Sequence, residues 1–205
     1  MIIERVSGMS YRDYIKKNIF SPLSMKNAAV LQMETPVYNS AYGYDYDSSK
    51  KTFSKLDAAE AIFFSTEGDG GIYISADEYL HWFQSLQYPL PANKVIAEKT
   101  RSPQYMVDPV NKLSYGYGWF VSDKDTARAV YHSGSNGGFR AIVFSIPAQN
   151  YMVAIFSNRT GIDLEKLVQQ INKIEGVTNN SFTKIEALVS FINSSPIFAP
   201  CKEIL

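Results

Sequence analysis

The segment from Tyr115 to Ser157 restricts the fold more than any other part of the chain. Four runs rich in β-branched and aromatic residues, Tyr115 to Val121, Ala129 to His132, Phe139 to Ile146 and Tyr151 to Ser157, are separated by short stretches of Asp, Gly, Asn and Pro. Parallel neighbours need a crossover of roughly a dozen residues or more, and no connection here is that long, so the runs predict an antiparallel meander. Asp163 then caps an amphipathic helix through Leu164, Leu167, Val168 and Ile171 that ends before Gly176. Strands followed by a helix make the class α+β.

The first half of the chain reads as short helices and loops. Ile2, Ile3 and Val6 fall at helical spacing and stop at Ser7-Gly8 with no cap before them, like the last turns of a helix. Ser10 and Asp13 resemble a capping box that opens a helix with Tyr11, Tyr14, Ile15, Ile19 and Phe20 on one face, closed by Ser21-Pro22. Pro36 to Ser54, dense in Tyr, Asp and Ser, is expected to be a loop rather than a regular element, and Ala58 to Phe64 a helical turn or a short strand. Gly68-Asp69-Gly70-Gly71 breaks the chain before Ser75 and Glu78, a second capping box whose helix carries Tyr79, Leu80, Phe83 and Leu86 and stops at Pro89 and Pro91. A further short helix is expected between Asn93 and Met106, and another stretch around Ile185 to Ile192 in the tail. The expected organisation is a helical part with the tyrosine-rich loop over 1–110, the strands and their helix over 111–175, and a tail over 176–205.

Composition excludes several functions. Lys and Arg number 20 and Asp and Glu 20, so there is no net charge and no basic excess of the kind nucleic-acid binding needs. The single cysteine, Cys201, cannot close an intramolecular disulfide. No apolar run approaches the ~18 residues that span a bilayer, and the first residues lack the basic-then-apolar order of a signal peptide. With two histidines, His81 and His132, and no cysteine near either, a multi-histidine zinc site is excluded, and no cofactor is called for.

His81 lies inside a helix beside Trp82, which suits packing. His132 ends the run Val130-Tyr131-His132 and leads into Ser133-Gly134-Ser135-Asn136-Gly137-Gly138-Phe139. Glycines there let a backbone approach a ligand and turn amide donors toward a developing oxyanion, although a glycine-rich hairpin turn explains the same residues. Adjacency of His132 and Ser133 does not make a catalytic pair, because activation needs a spatial hydrogen bond and a third orienting group. Two Ser-x-x-Lys strings, Ser48 to Lys51 and Ser181 to Lys184, have a nucleophile-and-base spacing only if helical; the first lies in a polar loop, and the second suits an N-cap. Gly68-Asp69-Gly70-Gly71 is not followed by Gly-Lys-Ser/Thr, so it reads as a turn rather than a phosphate cradle.

Taken in order, several stretches resemble the serine β-lactamase and penicillin-binding-protein superfamily, in its class C β-lactamase, DD-peptidase and esterase branch. They are Ile2 to Gly8 with Tyr11 and Ile15, Ile19 to Met25, Gly68 to Tyr73 before a helix, Tyr115-Gly116-Tyr117-Gly118-Trp119, His132-Ser133-Gly134, and Ala154-Ile155-Phe156-Ser157-Asn158. That family has three catalytic boxes: Ser-x-x-Lys, then Tyr-x-Asn or Ser-x-Asn, then Lys-Thr-Gly or a variant such as His-Ser-Gly. Only the third has a counterpart here. The resemblance therefore implies the C-terminal part of a serine hydrolase whose parent cleaves an amide or ester through an acyl-serine, with about three strands of a five-stranded antiparallel sheet.

By the same resemblance, His132, Ser133 and Gly134 occupy the third box and the Ser135 amide forms half of an oxyanion hole, with Tyr117 and Asn136 contacting substrate. Without nucleophile and base, the chain alone is expected to be inactive. A non-catalytic binding module using the His132 to Gly138 wall, or an inert gene product, are the alternatives. The resemblance implies an exported parent acting on a small molecule or peptide. It also leaves Met152 to Phe156 as a bare sheet edge, open to self-association or to the tail from Thr178 to Leu205.

Overall fold

A computed structural model of the chain describes residues 2–31, 37, 39–56 and 67–177. In chain order its elements are helix α1 (Ile2–Ser7), helix α2 (Tyr11–Ile15), strands β1 (Ala29–Val30), β2 (Tyr44–Asp47), β3 (Thr52–Lys55) and β4 (Ile72–Tyr73), and helices α3 (Ala76–Gln87) and α4 (Lys94–Thr100). There follow strands β5 (Tyr105–Asp108), β6 (Leu113–Tyr115), β7 (Phe120–Ser122), β8 (Ala129–Asn136), β9 (Phe139–Ile146) and β10 (Tyr151–Ser157), and helix α5 (Leu164–Ile174). The fold is α+β, and its main sheet has six strands in the order β10-β9-β8-β7-β6-β5. Its neighbours in space are neighbours in sequence, as short connections require.

The caps form largely as the side chains dictate. Ser10 Oγ accepts the Asp13 amide at 3.1 Å, Ser75 Oγ the Glu78 amide at 3.2 Å and Asp163 Oδ1 the Lys166 amide at 2.9 Å. The second capping box closes on one side only, because the buried Glu78 carboxylate accepts from the Asn27 amide at 2.7 Å. That bond ties the start of α3 to the turn before β1. Helix α2 continues as a wider π-helical turn over Lys16–Phe20.

Contacts divide the described residues into two units. The first takes those of Met1–Lys99, Ser133–Ala141 and Ala154–Ile162, the second those of Thr100–His132, Ile142–Val153 and Asp163–Leu205. In the first, Tyr11, Ile15, Phe20, Met25 and Val30 form a buried cluster with Ile74 and Trp82 packed on it. In the second, Val121, Ala129, Val130, Ile142, Phe144 and Ile146 are almost wholly buried, as is Val168 on the inner face of α5. Helix α5 is further fixed by the Tyr151 hydroxyl, which donates to Asn172 Oδ1 at 2.8 Å.

The turn from β8 to β9 is Gly137-Gly138, with φ of +45° and +85°. Two successive positive φ values define a hairpin turn that glycine alone adopts without strain. The backbones here touch: a Cβ on Gly43 would lie 2.3 Å from the Gly137 carbonyl oxygen, and one on Gly138 would lie 2.9 Å from the Tyr44 amide nitrogen.

Several expectations are corrected. The tyrosine-rich stretch is not merely a loop, since it holds the β2–β3 hairpin, with Tyr44 opposite Lys55 and Asp47 opposite Thr52. Asp47 closes its turn by accepting from the Ser49 and Lys50 amides, and the Ser49 hydroxyl with those donors holds its carboxyl down at about 2. Tyr115 to Val121 is not one strand, because Gly116 to Trp119 turn the chain between β6 and β7, with Gly118 at φ +82°. The short helix expected between Asn93 and Met106 is present as α4, which ends at Thr100, and Tyr105 and Met106 belong to β5. The sheet has six strands rather than about three: β8 to β10 follow three of the expected runs, the run from Tyr115 to Val121 is divided between β6 and β7, and β5 is added. Ala58 to Phe64 and the tail from Thr178 lie outside the described residues.

Three substitutions separate these causes. Phe144→Ala empties a fully buried ring site and should cost about 3–5 kcal/mol. Gly43→Ala forces a Cβ into backbone and should cost more than about 1 kcal/mol, whereas Gly134→Ala enters open space and should stay within about 0.5 kcal/mol. Thermal unfolding of the three purified variants reads the order directly.

Candidate functional site

Strand β8 changes character along its length. Ala129, Val130 and Tyr131 are buried, whereas His132, Ser133, Gly134 and Ser135 are exposed. A side chain at 134 would meet nothing within 4 Å, so packing does not demand glycine there. The strand surface is open at that position.

His132 sits in an aromatic ladder built by strand register. Tyr115 on β6 lies opposite Phe120 on β7, and Phe120 lies opposite Tyr131 on β8. The His132 ring stacks on Phe120 at 5.8 Å with a 24° interplanar angle, and Tyr115 meets Phe120 edge-on at 4.8 Å. The Tyr115 hydroxyl lies 3.2 Å from His132 Nε2. Burial raises the Tyr115 phenol above its usual value, so at neutral pH it is protonated and bonds the imidazole as a hydroxyl. The histidine is thus exposed but held. Tyr115 and Phe120 are the partners that sequence reasoning did not assign, because pairing them requires breaking the aromatic run at Gly116-Tyr117-Gly118.

The other expected residues are placed separately. Tyr117 is 60% exposed on the turn between β6 and β7. Asn136, at the end of β8, borders a cavity of about 780 Å³ within the first unit, and its Oδ1 is buried with no hydrogen-bond partner among the described residues. Asn136 Nδ2 lies beside Gly70, where a Cβ would come within 3.3 Å. Arg140 of β9 and Tyr73 of β4 also line this cavity. His81 has a packing role, with Nδ1 3.1 Å from the Leu23 carbonyl. Ser48 to Lys51 form the tip of the β2–β3 hairpin rather than a helix, so that serine and lysine lack nucleophile-and-base geometry. The second string lies outside the described residues, among which no cluster of His, Cys, Asp or Glu is arranged to hold a metal.

Residues 1–173 match the Beta-lactamase family profile. The chain belongs to the β-lactamase family. Penicillin-binding protein 4* of Bacillus subtilis (strain 168) is 29% identical over 175 residues, covering 78% of this chain and 37% of that protein. Protein flp of Staphylococcus aureus (strain MW2) is 25% identical over 175 residues, covering 84% and 34%. The chain therefore spans little more than a third of the length of these curated relatives. The octameric penicillin-binding protein homologue from Pyrococcus abyssi superposes with a TM-score of 0.72 at 26% identity, over 85% of this chain and 40% of the other. A class C β-lactamase superposes at 0.65 and 18% identity, over 88% and 55%, which shows the shared fold.

The hold on His132 can be measured. In Tyr115→Phe the ¹⁵N resonance of His132 Nε2 should shift, while the loss of one exposed hydrogen bond costs no more than about 1.5 kcal/mol. An unchanged resonance would mean that the two groups do not interact in solution.

Proposed function

We propose that this β-lactamase-family chain supplies the third-box wall of a serine acyl-hydrolase site and does not turn over substrate by itself. The observation that carries this reading is the exposed stretch His132-Ser133-Gly134-Ser135 of β8, with the imidazole held by Tyr115 and Phe120. In that role Ser133 meets the carbonyl or carboxylate of the substrate, and the Ser135 amide donates to the oxyanion that forms on attack. His132 orients polar neighbours around the base, and Tyr117 and Asn136 border the bound substrate. An acyl-enzyme needs a serine beside a base, which the hairpin tip at Ser48 to Lys51 does not provide, so on this reading the chain binds without a covalent route.

The substrate class follows the family: an amide or ester, with an imidazole in place of the third-box lysine favouring an ester or peptide over a β-lactam. The decisive measurement is nitrocefin and p-nitrophenyl acetate turnover, with mass spectrometry for a penicillin adduct. Neither turnover nor adduct is expected. An adduct on Ser48 or Ser181 would overturn the proposal.

Self-association through β10 belongs to the same reading. Among the described residues β10 is an end strand of the sheet, and Phe156 on it is 38% exposed. The P. abyssi homologue is octameric, which favours assembly. Among the described residues no helix is long and apolar enough to cross a membrane. Light scattering should find a dimer or larger species, reduced by a charge at Phe156. A monomer at all concentrations would refute assembly through this edge.

A further inference from the structure

The β2–β3 hairpin carries a surface that the third-box reading does not use. All four residues of β3 are exposed, Phe53 at 51%. The Tyr44 amide donates to the Asn158 carbonyl and the Tyr46 amide to Thr160 Oγ1, both at 2.9 Å, so these two residues turn their amides to the outer side of β2. Their antiparallel partners are Lys55 and Phe53. Bonded and non-bonded pairs alternate along an antiparallel ladder. Phe53 and Lys55 therefore turn their amides and carbonyls away from β2, to an edge that no strand pairs among the described residues.

The side chains beside that edge carry one sign of charge. Tyr44, Tyr46, Phe53 and Lys55 share one face by register, and Asp45 and Asp47 take the opposite one. Tyr46 and Phe53 meet at 4.8 Å, and the Arg159 guanidinium lies 5.5 Å and 5.2 Å from their ring centroids. Lys55 Nζ lies 3.3 Å from the centroid of the Tyr42 ring. Both cations rest on rings, and among the described residues neither forms an ion pair with a carboxylate. The hairpin's own acids are engaged elsewhere, Asp47 by its turn and Lys50, and Asp45 by the Thr160 hydroxyl. A second copy of this edge would set like charges against each other, whereas an acidic strand complements it.

We propose that β3 docks an extended acidic segment of a partner protein, added antiparallel as a third strand of the hairpin sheet. Its acidic residue stands opposite Lys55, and an apolar residue two places later stands opposite Phe53, beside the Arg159 guanidinium. Main-chain bonds to Phe53 and Lys55 give the contact its affinity, and the two side-chain positions give it selectivity. The contact uses none of His132 to Ser135, so it stands or falls separately from the acyl-hydrolase reading.

The peptide Ac-Thr-Glu-Thr-Val-Thr-NH2 carries the required pattern. Titrated into the full ¹⁵N-labelled chain, it should give saturable one-to-one shifts concentrated at the Phe53, Ser54 and Lys55 amides. A peptide with glutamine in place of the glutamate, and one N-methylated at the valine and so unable to donate to the Phe53 carbonyl, should each bind about 3-fold or more weakly. Lys55→Glu should weaken binding of the parent peptide by a similar factor, and a peptide with lysine in place of the glutamate should recover it. If Lys55→Glu does not fold, the comparison of peptides on the unaltered chain decides the matter. No saturable shift at millimolar peptide, or equal binding of the parent, glutamine and N-methyl peptides, overturns the proposal. Phe53 and Lys55 amides already protected from hydrogen exchange in the free chain, or shifting with its concentration, would place another segment or a second copy on the edge and overturn it as well.

Discussion

The candidate site rests on a close approach of two backbones. At Gly43 and Gly137 the chain comes so near itself that a methyl group on Gly43 would overlap the Gly137 carbonyl oxygen. This contact sets the β8–β9 turn against the entry to β2, and the entry is fixed in turn by bonds from the Tyr44 amide to Asn158 O and from the Thr160 amide to Tyr44 O, both 2.9 Å. Three stretches far apart in sequence are thereby locked together: Gly43-Tyr44, Gly137-Gly138 and Asn158 to Thr160. The open strand face and the cavity wall at Asn136 lie within a few residues of this lock, so their geometry is only as firm as the glycines that permit it.

A second constraint acts where β8 is buried. Tyr115, Phe120, Tyr131 and His132 meet because antiparallel register alternates faces and sets partners opposite one another. Phe120 stacks on Tyr131 at 5.4 Å and on His132 at 5.8 Å, so one ring touches both the buried and the exposed residue. Burial pushes the Tyr115 and Tyr131 phenols up, and both remain neutral well above physiological pH. The rings therefore serve as the mount of the imidazole.

Local patterns were legible in the sequence and distant approaches were not. The caps at Ser10, Ser75 and Asp163, the runs that became β8, β9 and β10, and the buried face of α5 at Leu164 and Val168 all follow from periods within one element. Tyr44-Asp45-Tyr46-Asp47 alternates as a strand should, yet its composition resembles a loop, and the pairing with Thr52 to Lys55 decided the matter. Glu78 was expected to bond back to its own helix, and a partner some fifty residues earlier captured it instead. His132, Ser133 and Gly134 were singled out by their motif. Their support was not legible, since Tyr115 finds His132 only through the register of three strands, and Arg140 finds the cavity only through the turn at Gly137-Gly138.

A wall of this kind has a definite physical capacity. Prearranged donors and an exposed strand face lower the energy of a bound acyl group and of the oxyanion it becomes, but the two effects differ in what they require. Ground-state contacts act as soon as the ligand arrives. Oxyanion stabilisation acts only when a nucleophile has added to the carbonyl, and Ser48 on the β2–β3 hairpin has no helical lysine to activate it. On the proposed reading, His132 to Ser135 thus serve binding without bond breaking.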